Sequence, residues 1–322
     1  MMLRSLTYLV ALARERHFGR AAAACHVSQP ALSNALRQLE QEFGVVIVER
    51  GKRFKGFTPG GEKVLAYARQ ALAEHESVIT GLKAADESLT GELRVGAIPT
   101  ALPLMAHILA PFSAQHPSVR LTLHSLTSRQ IQTGLHEFEL DAGVTYLDNE
   151  PLSGVRSVSI MNERYYLLTR RRYLTNPEAR EVSWTEAASL RLGLLTPNMQ
   201  NRRIIDAAFG DVGAAVEAAI ETDALIDLYT CVRFGSYSSI VPSALLTVFS
   251  PDDDMVALPL RDPEVIYQVG IVLADRNPPA PLADILANLH SETAIRGELV
   301  ALIRDAIQRH WTGPTKRGRR AG

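Results

Sequence analysis

The sequence predicts an α/β protein in three parts: an N-terminal winged helix-turn-helix, a long linker helix and a two-lobed α/β domain. Three observations support this prediction. Apolar residues recur at helical spacing through residues 1–89, positive charge is concentrated in residues 1–60, and strand-like and helix-like segments alternate from Glu92 onward. With 322 residues, 46% of them hydrophobic, the chain is long enough for a small domain and one or two larger lobes with cores of their own.

The segment from Phe18 to Gln41 predicts two short helices joined by a tight turn. Phe18, Ala21, Ala22 and Cys25 have the spacing of one buried stripe on the first helix, and Leu32, Leu36, Leu39 and Phe43 continue it on the second. Ser28 can cap the second helix. The opposite side of that helix carries a small, mainly polar set: Gln29, Pro30, Ser33, Asn34, Arg37 and Gln41. Such a face can hydrogen-bond to base edges and phosphates, although ordinary cores also contain helix pairs with this periodicity.

Features next to this helix pair favour a nucleic-acid partner. Residues 1–60 hold nine lysines and arginines against four acidic residues, a balance of +5 in a chain whose net charge is −1. Val45–Val48 and Phe54–Phe57 predict two short strands, and cations cluster at the tip between them at Arg50, Lys52 and Arg53. Such a wing can lie along the sugar-phosphate backbone, whereas its alternative is a plain surface turn. With an N-terminal helix as the third wall of the core, residues 1–58 predict a winged helix-turn-helix.

The first sixty residues resemble the N-terminal domain of LysR-type transcriptional regulators. The matching residues form a long, ordered run: Leu9, Phe18, Ala21-Ala22, Val27-Ser28-Gln29-Pro30-Ala31-Leu32-Ser33, Leu36, Leu39-Glu40, Phe43-Gly44, Arg50 and Thr58-Pro59-Gly60-Gly61. The chain departs from the family pattern at His17, where serine is usual, at Asn34, where arginine is common, and at Val48, where an aromatic residue is common. Asn34 lies on the groove-facing side, so the family's usual base preference does not transfer to this chain.

The resemblance implies a DNA-binding surface on the second helix and the wing. Its residues are Ser28, Gln29, Pro30, Ser33, Asn34, Arg37, Arg50, Lys52 and Arg53. By analogy with the family, Gln29, Pro30 and Ser33 approach bases. Arg37, Arg50 and Arg53 hold phosphates.

A long linker helix is predicted over residues 59–89, after Thr58 as cap and Pro59 in the first turn. Its apolar positions follow the alternating three- and four-residue spacing of a coiled-coil seam, in which His75 is a tolerated polar residue. Because an exposed seam needs a partner, we expect the chain to dimerise here through a second copy of the helix. The dimerisation residues are Leu65, Leu72, Ile79 and Leu82.

Residues 90–310 predict a mostly parallel sheet covered by helices. The predicted strands are Glu92–Ala97, Arg120–His124, Ala142–Thr145, Tyr165–Arg170, Leu192–Leu195, Val216–Glu221, Ser239–Val241 and Val265–Leu273. The predicted helices are Leu102–Phe112, Arg129–His136, Arg202–Phe209, Ala224–Phe234, Leu282–Leu289 and Ile295–Gln308. This pattern resembles the LysR effector domain, which is similar to periplasmic solute-binding proteins. We expect lobe I at 90–160 and 266–310, lobe II at 161–265, and a basic flexible tail at 311–322.

The strand pattern also places a ligand site. In open α/β sheets, ligands bind beyond the carboxyl ends of the strands, where helix N-termini offer free N–H groups. This rule selects Pro99, Thr100, Ala101, Ser128, Thr145, Asn198, Met199 and Gln200 as effector-binding residues. Thr100 and Ser128 can equally serve as helix caps. Hydroxyls, amides and helix N-termini together suit a small anion or carboxylate, and we expect no cofactor and no metal.

Several other functions find no support in the sequence. Cys25 and Cys231 are far apart and lack metal-ligand spacing, so neither a disulfide nor a zinc site is expected; a redox role for Cys231 is an alternative to a plain helical cysteine. Asp252-Asp253-Asp254 is interpreted as a solvated loop. No motif of a nucleophilic, nucleotide-binding or paired-carboxylate enzyme occurs, so we expect no enzyme. Without a signal peptide or a membrane span, a cytoplasmic protein is expected.

The sequence therefore predicts a LysR-type regulator whose promoter binding is modulated by a small molecule. The resemblance implies a tetramer built from two linker-helix dimers, with double-stranded promoter DNA, the effector and further copies of the chain as partners. RNA polymerase is a further candidate partner, and no membrane partner is expected. The alternative is a two-lobe solute-binding or enzymatic protein in which the helix-turn-helix is only a structural appendage.

Overall fold

The structure is a computed structural model that describes residues 2–49, 54–84, 89–252, 254–276, 279–291 and 293–311. The helices are α1 Met2–Glu15, α2 Phe18–Ala24, α3 Gln29–Phe43, α4 Pro59–Ala84, α5 Met105–Gln115, α6 Ser128–His136, α7 Trp184–Ala188, α8 Gln200–Asp211, α9 Leu225–Phe234, α10 Pro281–Ser291 and α11 Thr293–Ala306. The strands are β1 Gly91–Ala97, β2 Val119–Ser125, β3 Ala142–Tyr146, β4 Val155–Arg170, β5 Val182–Ser183, β6 Leu192–Leu195, β7 Ile220–Thr222, β8 Ser238–Pro242, β9 Met255–Arg261 and β10 Ile266–Ala274.

The N-terminal domain packs α1, α2, α3 and the first turns of α4 around one apolar core. The stripe predicted on α3 is buried, since Leu32, Leu36 and Leu39 are at most 4% exposed. Leu6 and Leu9 of α1 are fully buried beside them. The predicted helix-turn-helix is therefore present, and the leucines that shape its core leave the other face of α3 free.

The wing is narrower than the sequence predicts. Instead of two strands of four residues, the described part of the hairpin forms a single β-bridge between Val48 and Phe57. The Glu49 amide donates to the Gly56 carbonyl (3.0 Å), and the Thr58 amide donates to the Ile47 carbonyl (3.0 Å). The prediction of strands at Val45–Val48 and Phe54–Phe57 was wrong in extent because Thr58 turns the chain into α4 at once. The predicted cationic tip, Arg50 to Arg53, lies outside the described residues.

Helix α4 begins as predicted, with the Thr58 hydroxyl accepting from the Gly61 amide (2.9 Å). Its first half is not a free seam. Leu65 is only 4% exposed and Leu72 is partly buried, because both pack against the core of the same N-terminal domain. Leu65 is therefore taken up by the core of its own domain, whereas Leu72 keeps part of its surface exposed and its pairing role stays a prediction. Ile79 and Leu82, farther along α4, are 41% and 73% exposed.

Lobe I contains the strand order β2-β1-β3-β10-β4. The first three strands run parallel, and β10 is antiparallel to both β3 and β4. Parallel strands place their carboxyl ends at one edge, so the turns after β1, β2 and β3 lie together there. Arg94 on β1 and Asp141 before β3 form a bidentate ion pair that ties the two strands together (2.8 and 3.0 Å).

Strand β4 connects the two lobes. Its first part pairs with β10 as far as Arg164, and from Tyr165 it pairs with β8 and β9 in lobe II. Lobe II then continues through β6 and β7. The sequence pattern predicted only the last six residues of β4, Tyr165–Arg170, and it did not predict β9. The strand predicted at Val216–Glu221 is shorter and lies nearer the carboxyl end of that segment, at Ile220–Thr222.

None of the helices in the described part of the chain combines the length and apolar composition that a membrane span needs.

Candidate functional sites

The helix-turn-helix is held by two side-chain caps. The His17 Nδ1 accepts hydrogen bonds from the amides of Gly19 (3.1 Å) and Arg20 (3.3 Å) at the start of α2. The Ser28 hydroxyl accepts from the Ala31 amide (3.4 Å) at the start of α3. The histidine at position 17, a departure from the family pattern, thus takes the role that a serine oxygen has at an N-cap. Ser28, which we assigned to DNA contact, has a structural role as the cap of α3.

The solvent side of α3 presents the polar set that the sequence predicts. Gln29, Pro30, Asn34 and Arg37 are exposed, and Ser33 is half-buried between them. Residues three and four apart share one face of a helix, so these side chains form a continuous strip opposite the buried leucines. An α-helix fits the major groove of B-form DNA, where amide and guanidinium groups can read base edges. The strip therefore has the shape and chemistry of a DNA-reading surface.

A second polar cluster lies where the two lobes meet. The Tyr146 hydroxyl, at the end of β3, donates to Oε2 of Glu163 on β4 at 2.5 Å. The same hydroxyl accepts from the Tyr165 hydroxyl (3.1 Å) and from Nδ2 of Asn201 on α8 (3.5 Å), and it lies 3.4 Å from the Thr100 hydroxyl. Thr100 and Tyr146 belong to lobe I, whereas Tyr165 and Asn201 belong to lobe II. We call these five residues the interlobe cluster.

Burial controls the protonation of this cluster. Glu163 is 0% exposed, and burial away from water raises the pKa of its carboxyl to about 8, while the hydrogen bond from Tyr146 acts in the opposite direction. The pKa values of the Tyr146 and Tyr165 hydroxyls lie well above their usual range, first because of burial and then because of their neighbours in the cluster. The cluster is therefore uncharged at neutral pH, and the Oε1 atom of Glu163 has no hydrogen-bond partner among the described residues.

The N-terminus of α8 opens beside the cluster. Met199 precedes the helix and contributes no side-chain cap, whereas Gln200 and Asn201 in the first turn are only 3% exposed. The first N–H groups of a helix have no intrahelical acceptor, so an uncapped and buried N-terminus can bind an anion. The side-chain Nε2 of Gln200 donates to the backbone carbonyl of Asp148 in lobe I (3.4 Å) and so links the two lobes.

The structure brings only part of the predicted effector set into this region. Thr100 belongs to the interlobe cluster, and Gln200 starts α8. Ser128 and Thr145 are buried, and their hydroxyl oxygens find no hydrogen-bond partner in the part of the chain that the structure describes; Thr127 rather than Ser128 caps α6. The remaining members differ in exposure: Pro99 is buried, Ala101 and Met199 pack in the apolar cores, and Asn198 is exposed.

A groove opens beside Thr100 and also runs between the lobes. It has a volume of about 520 Å³ and is lined mainly by apolar residues. Pro99, Leu102 and Pro103 form its wall in lobe I, and Ile226, Val248 and Phe249 form much of the wall in lobe II. Asp223 lies on its exposed rim. The groove can hold the apolar part of a small molecule.

Four members of the interlobe cluster were not predicted from the sequence: Tyr146, Glu163, Tyr165 and Asn201. A signal for two of them was present, because Met161, Glu163, Tyr165 and Leu167 alternate along one face of β4 and are all buried. An acidic residue in such an inward-facing row is unusual and could have indicated a polar site. Nothing in the local sequence shows that Asn201 of a distant helix meets Tyr146.

Comparisons with known proteins identify both domains. The family model described as "Bacterial regulatory helix-turn-helix protein, lysR family" matches residues 3–62, and the "LysR substrate binding domain" matches residues 86–294. The chain belongs to the LysR family of transcriptional regulators. It is therefore a DNA-binding regulator with a domain for a small-molecule effector, and the alternative of a solute-binding or enzymatic protein is not favoured.

Relatives of this LysR-family regulator match along most of its length. The DNA-binding transcriptional dual regulator OxyR of Escherichia coli K12 is 32% identical over 284 residues, which cover 86% of this chain and 91% of that protein. A hydrogen peroxide-inducible genes activator of Pectobacterium carotovorum is 30% identical over 284 residues, covering 86% and 92%. A solved full-length OxyR variant from Pseudomonas aeruginosa is 25% identical, with a TM-score of 0.71 and coverage of 99% and 98%.

The regulator's two cysteines lie in different domains. Cys25 borders the core of the N-terminal domain, and Cys231 on α9 is partly buried in lobe II. Burial, followed by the nearby Asp227 carboxylate, raises the pKa of the Cys231 thiol. The effector domain thus contains a single cysteine. The raised pKa favours its protonated thiol, which is less reactive than the thiolate.

Proposed function

We propose that this regulator reads promoter DNA with the exposed face of α3 and responds to a small effector bound between its two lobes. The observation that carries the DNA-reading role is the division of α3 into a buried leucine stripe and a polar outer strip. Gln29, Pro30 and Ser33 would approach bases, with Asn34 beside them, and Arg37 would hold phosphate. Arg50, Lys52 and Arg53 are assigned to phosphate contact on the sequence alone. Because we propose that it acts on promoter DNA, we also propose a cytoplasmic location and no catalytic activity.

We propose that two chains pair through the second half of α4. Ile79 and Leu82 are large apolar side chains exposed to solvent on one side of this helix, and Val78 beside them is 53% exposed. Burying such a row against the same row of a second copy removes it from water. Two such dimers would form the tetramer that the family implies, with two pairs of reading helices on one DNA.

The effector class that we propose is a small carboxylate. The uncapped N-terminus of α8 and the hydroxyls of Ser128 and Thr145, unpartnered among the described residues, support an anion, and the apolar groove beside Pro99 suits its hydrocarbon part. Binding would shift the chain toward one separation of the lobes. The effector can alter DNA binding only if it binds one arrangement of the assembly more tightly than the other.

The names of several relatives suggest peroxide as a second candidate signal. A disulfide within the effector domain would require two cysteines there, and this chain has only Cys231. The raised pKa of its thiol also lowers the thiolate fraction that peroxide would attack. These observations support a bound effector rather than an intradomain disulfide as the signal.

Fluorescence anisotropy of labelled promoter DNA tests the reading role. The full-length chain should bind the DNA upstream of its own gene more tightly than a scrambled duplex of equal length. Affinity for both duplexes should fall steeply with salt, because phosphate contacts release counterions. Equal affinity for the two duplexes at every salt concentration would refute sequence-specific reading.

A further inference from the structure

The Glu163 carboxyl has one oxygen held and one oxygen free. Oε2 accepts the hydrogen bond from Tyr146, whereas Oε1 is buried and has no partner in the described part of the chain. A buried polar atom without a partner costs stability, so such an atom at the meeting point of two lobes indicates a missing partner. A binding role for this atom rests on the proposed function, in which the meeting point of the lobes is the effector site.

The hydrogen bonds of Tyr146 determine where the carboxyl proton lies. The Tyr146 hydroxyl oxygen accepts from Tyr165 and from Asn201, which occupies both of its lone pairs. Its only proton goes to the nearer acceptor, Glu163 Oε2 at 2.5 Å, rather than to the Thr100 hydroxyl at 3.4 Å. That oxygen is therefore the acceptor of the neutral carboxyl group, and the acid proton resides on Oε1. The free atom is an O–H donor that lacks an acceptor among the described residues.

The surroundings favour an anionic acceptor over a cation. Asn201, which touches the Tyr146 hydroxyl, is the second residue of α8, whose uncapped N-terminus carries partial positive charge. Among the described residues, the titratable groups that face Glu163 are Tyr146, Tyr165 and Tyr267, the strand partner of Glu163 on β10. Each has a pKa above the usual range and stays neutral. The neighbouring Arg164 is half exposed and pairs with Glu264.

We propose that Glu163 is a recognition residue of the effector site, where its Oε1–H donates a hydrogen bond to a carboxylate oxygen of the effector. Tyr146 fixes the carboxyl group through Oε2 and directs the proton to the free oxygen. The site thereby binds a carboxylate without a cationic side chain. An effector bearing an ammonium group would instead require Glu163 to ionise, which its burial opposes.

This recognition depends on pH in a defined direction. The donor exists only while Glu163 is protonated, so carboxylate affinity should be constant from about pH 6 to the Glu163 pKa of about 8 and fall about tenfold per unit above it. A glutamine at this position carries an N–H donor at every pH. Glu163→Gln should therefore keep the affinity and lose the pH dependence, whereas Glu163→Ala should lose the donor.

Isothermal titration calorimetry on the full-length chain tests the proposal. The probes are propionate, butyrate, valerate and hexanoate, and the amide and the amine of equal chain length are titrated separately for comparison. At pH 7 at least one carboxylate should bind, and more tightly than its matched amine. Glu163→Gln should bind it within about threefold of the wild type and equally at pH 7 and 9.5, whereas Glu163→Ala should bind at least about tenfold more weakly. Glu178→Gln, which changes an exposed glutamate in lobe II, is the matched control and should behave as the wild type.

Four results would overturn the proposal: no carboxylate binding, tighter binding of the amines, full affinity in Glu163→Ala, or wild-type pH dependence in Glu163→Gln. Thermal unfolding of each variant shows whether a loss of affinity reflects a loss of structure. Promoter binding without any probe is measured on the same samples. A wild-type chain that does not bind promoter DNA would count against the regulator function itself. Normal promoter binding together with failed carboxylate binding would count only against the role proposed for Glu163.

Discussion

The Tyr146 hydroxyl on β3 and the Glu163 carboxyl on β4 share a 2.5 Å hydrogen bond inside the interlobe cluster. Both side chains are almost completely buried, at 1% and 0% exposure. A carboxyl group held in this way is mainly the neutral acid near pH 7, because it is buried and none of the described cations faces it. The protonation state of Glu163 is therefore coupled to the packing of the two lobes around it.

The stability of the chain should therefore depend on pH through Glu163. In the unfolded chain the carboxyl ionises near its usual pKa of 4.5, whereas in the folded chain it keeps its proton to about 8. Between these values the folded state holds the extra proton, so the free energy of unfolding falls as pH rises, by at most about 1.4 kcal/mol per unit. Glu163→Gln should remove this loss.

Chemical denaturation of the wild type and Glu163→Gln at pH 5 and pH 8 measures the effect. The variant should gain stability relative to the wild type on going from pH 5 to pH 8 and gain little more above that range. Glu178→Gln serves as the exposed control. A difference between Glu163→Gln and the wild type that is the same at both pH values would show that Glu163 ionises in the folded chain as it does in water.

Two glycines of α4 should respond oppositely to alanine. A Cβ at Gly61 would meet the Ile47 carbonyl oxygen, a backbone atom that cannot turn aside, far inside van der Waals contact. Gly61→Ala should destabilise the N-terminal domain by about 2 kcal/mol or more and weaken promoter binding. A Cβ at Gly81 on the same helix would have none of the described atoms within 4 Å. Gly81→Ala should therefore leave the free energy of unfolding unchanged or raise it by up to about 1 kcal/mol. Thermal scans that show equal losses would contradict this placement of Gly61.

Side chains of α3 should divide into base-reading and phosphate-holding residues. Gln29→Ala and Ser33→Ala should lose discrimination between promoter and scrambled DNA, by about 1–3 kcal/mol where a bidentate base contact is removed. Arg37→Ala should weaken binding to both duplexes alike. It should also reduce by about one the slope of the logarithm of the binding constant against the logarithm of the salt concentration. Gln70→Ala removes the side-chain amide of an exposed glutamine on α4 and is the matched control for Gln29→Ala. Anisotropy titrations in which Gln29→Ala weakens both duplexes equally would reject its base-reading role.

Pairing through α4 should depend on its exposed apolar residues. The double variant Ile79→Ser, Leu82→Ser should shift the chain toward monomers at micromolar concentration in sedimentation velocity runs. Val300→Ser, which removes an apolar side chain that is 47% exposed on α11, should leave the assembly unchanged. If the double variant sediments as the wild type does, the pairing surface lies elsewhere.

The sequence predicted what depends on local periodicity and failed where distant segments meet. The leucine stripe of α3, the cap at Thr58 and the alternation of strands and helices are local patterns, and the structure contains them. Leu65 has the same spacing as Ile79, yet it packs within its own chain, because only the tertiary fold decides which part of α4 the N-terminal domain covers. Four of the five members of the interlobe cluster escaped prediction for the same reason, since Glu163 and Asn201 reach the Tyr146 hydroxyl from separate elements, β4 and α8.

DNase I footprinting on the DNA upstream of its own gene is the sharpest test of promoter reading by this regulator. The full-length chain should protect two segments on one face of the duplex, separated by a whole number of helical turns, because paired reading helices of a symmetric assembly enter successive major grooves. A carboxylate that binds at Glu163 should change the extent or spacing of the protected segments. Uniform protection along the fragment, or none at concentrations that saturate binding, would contradict a sequence-reading regulator.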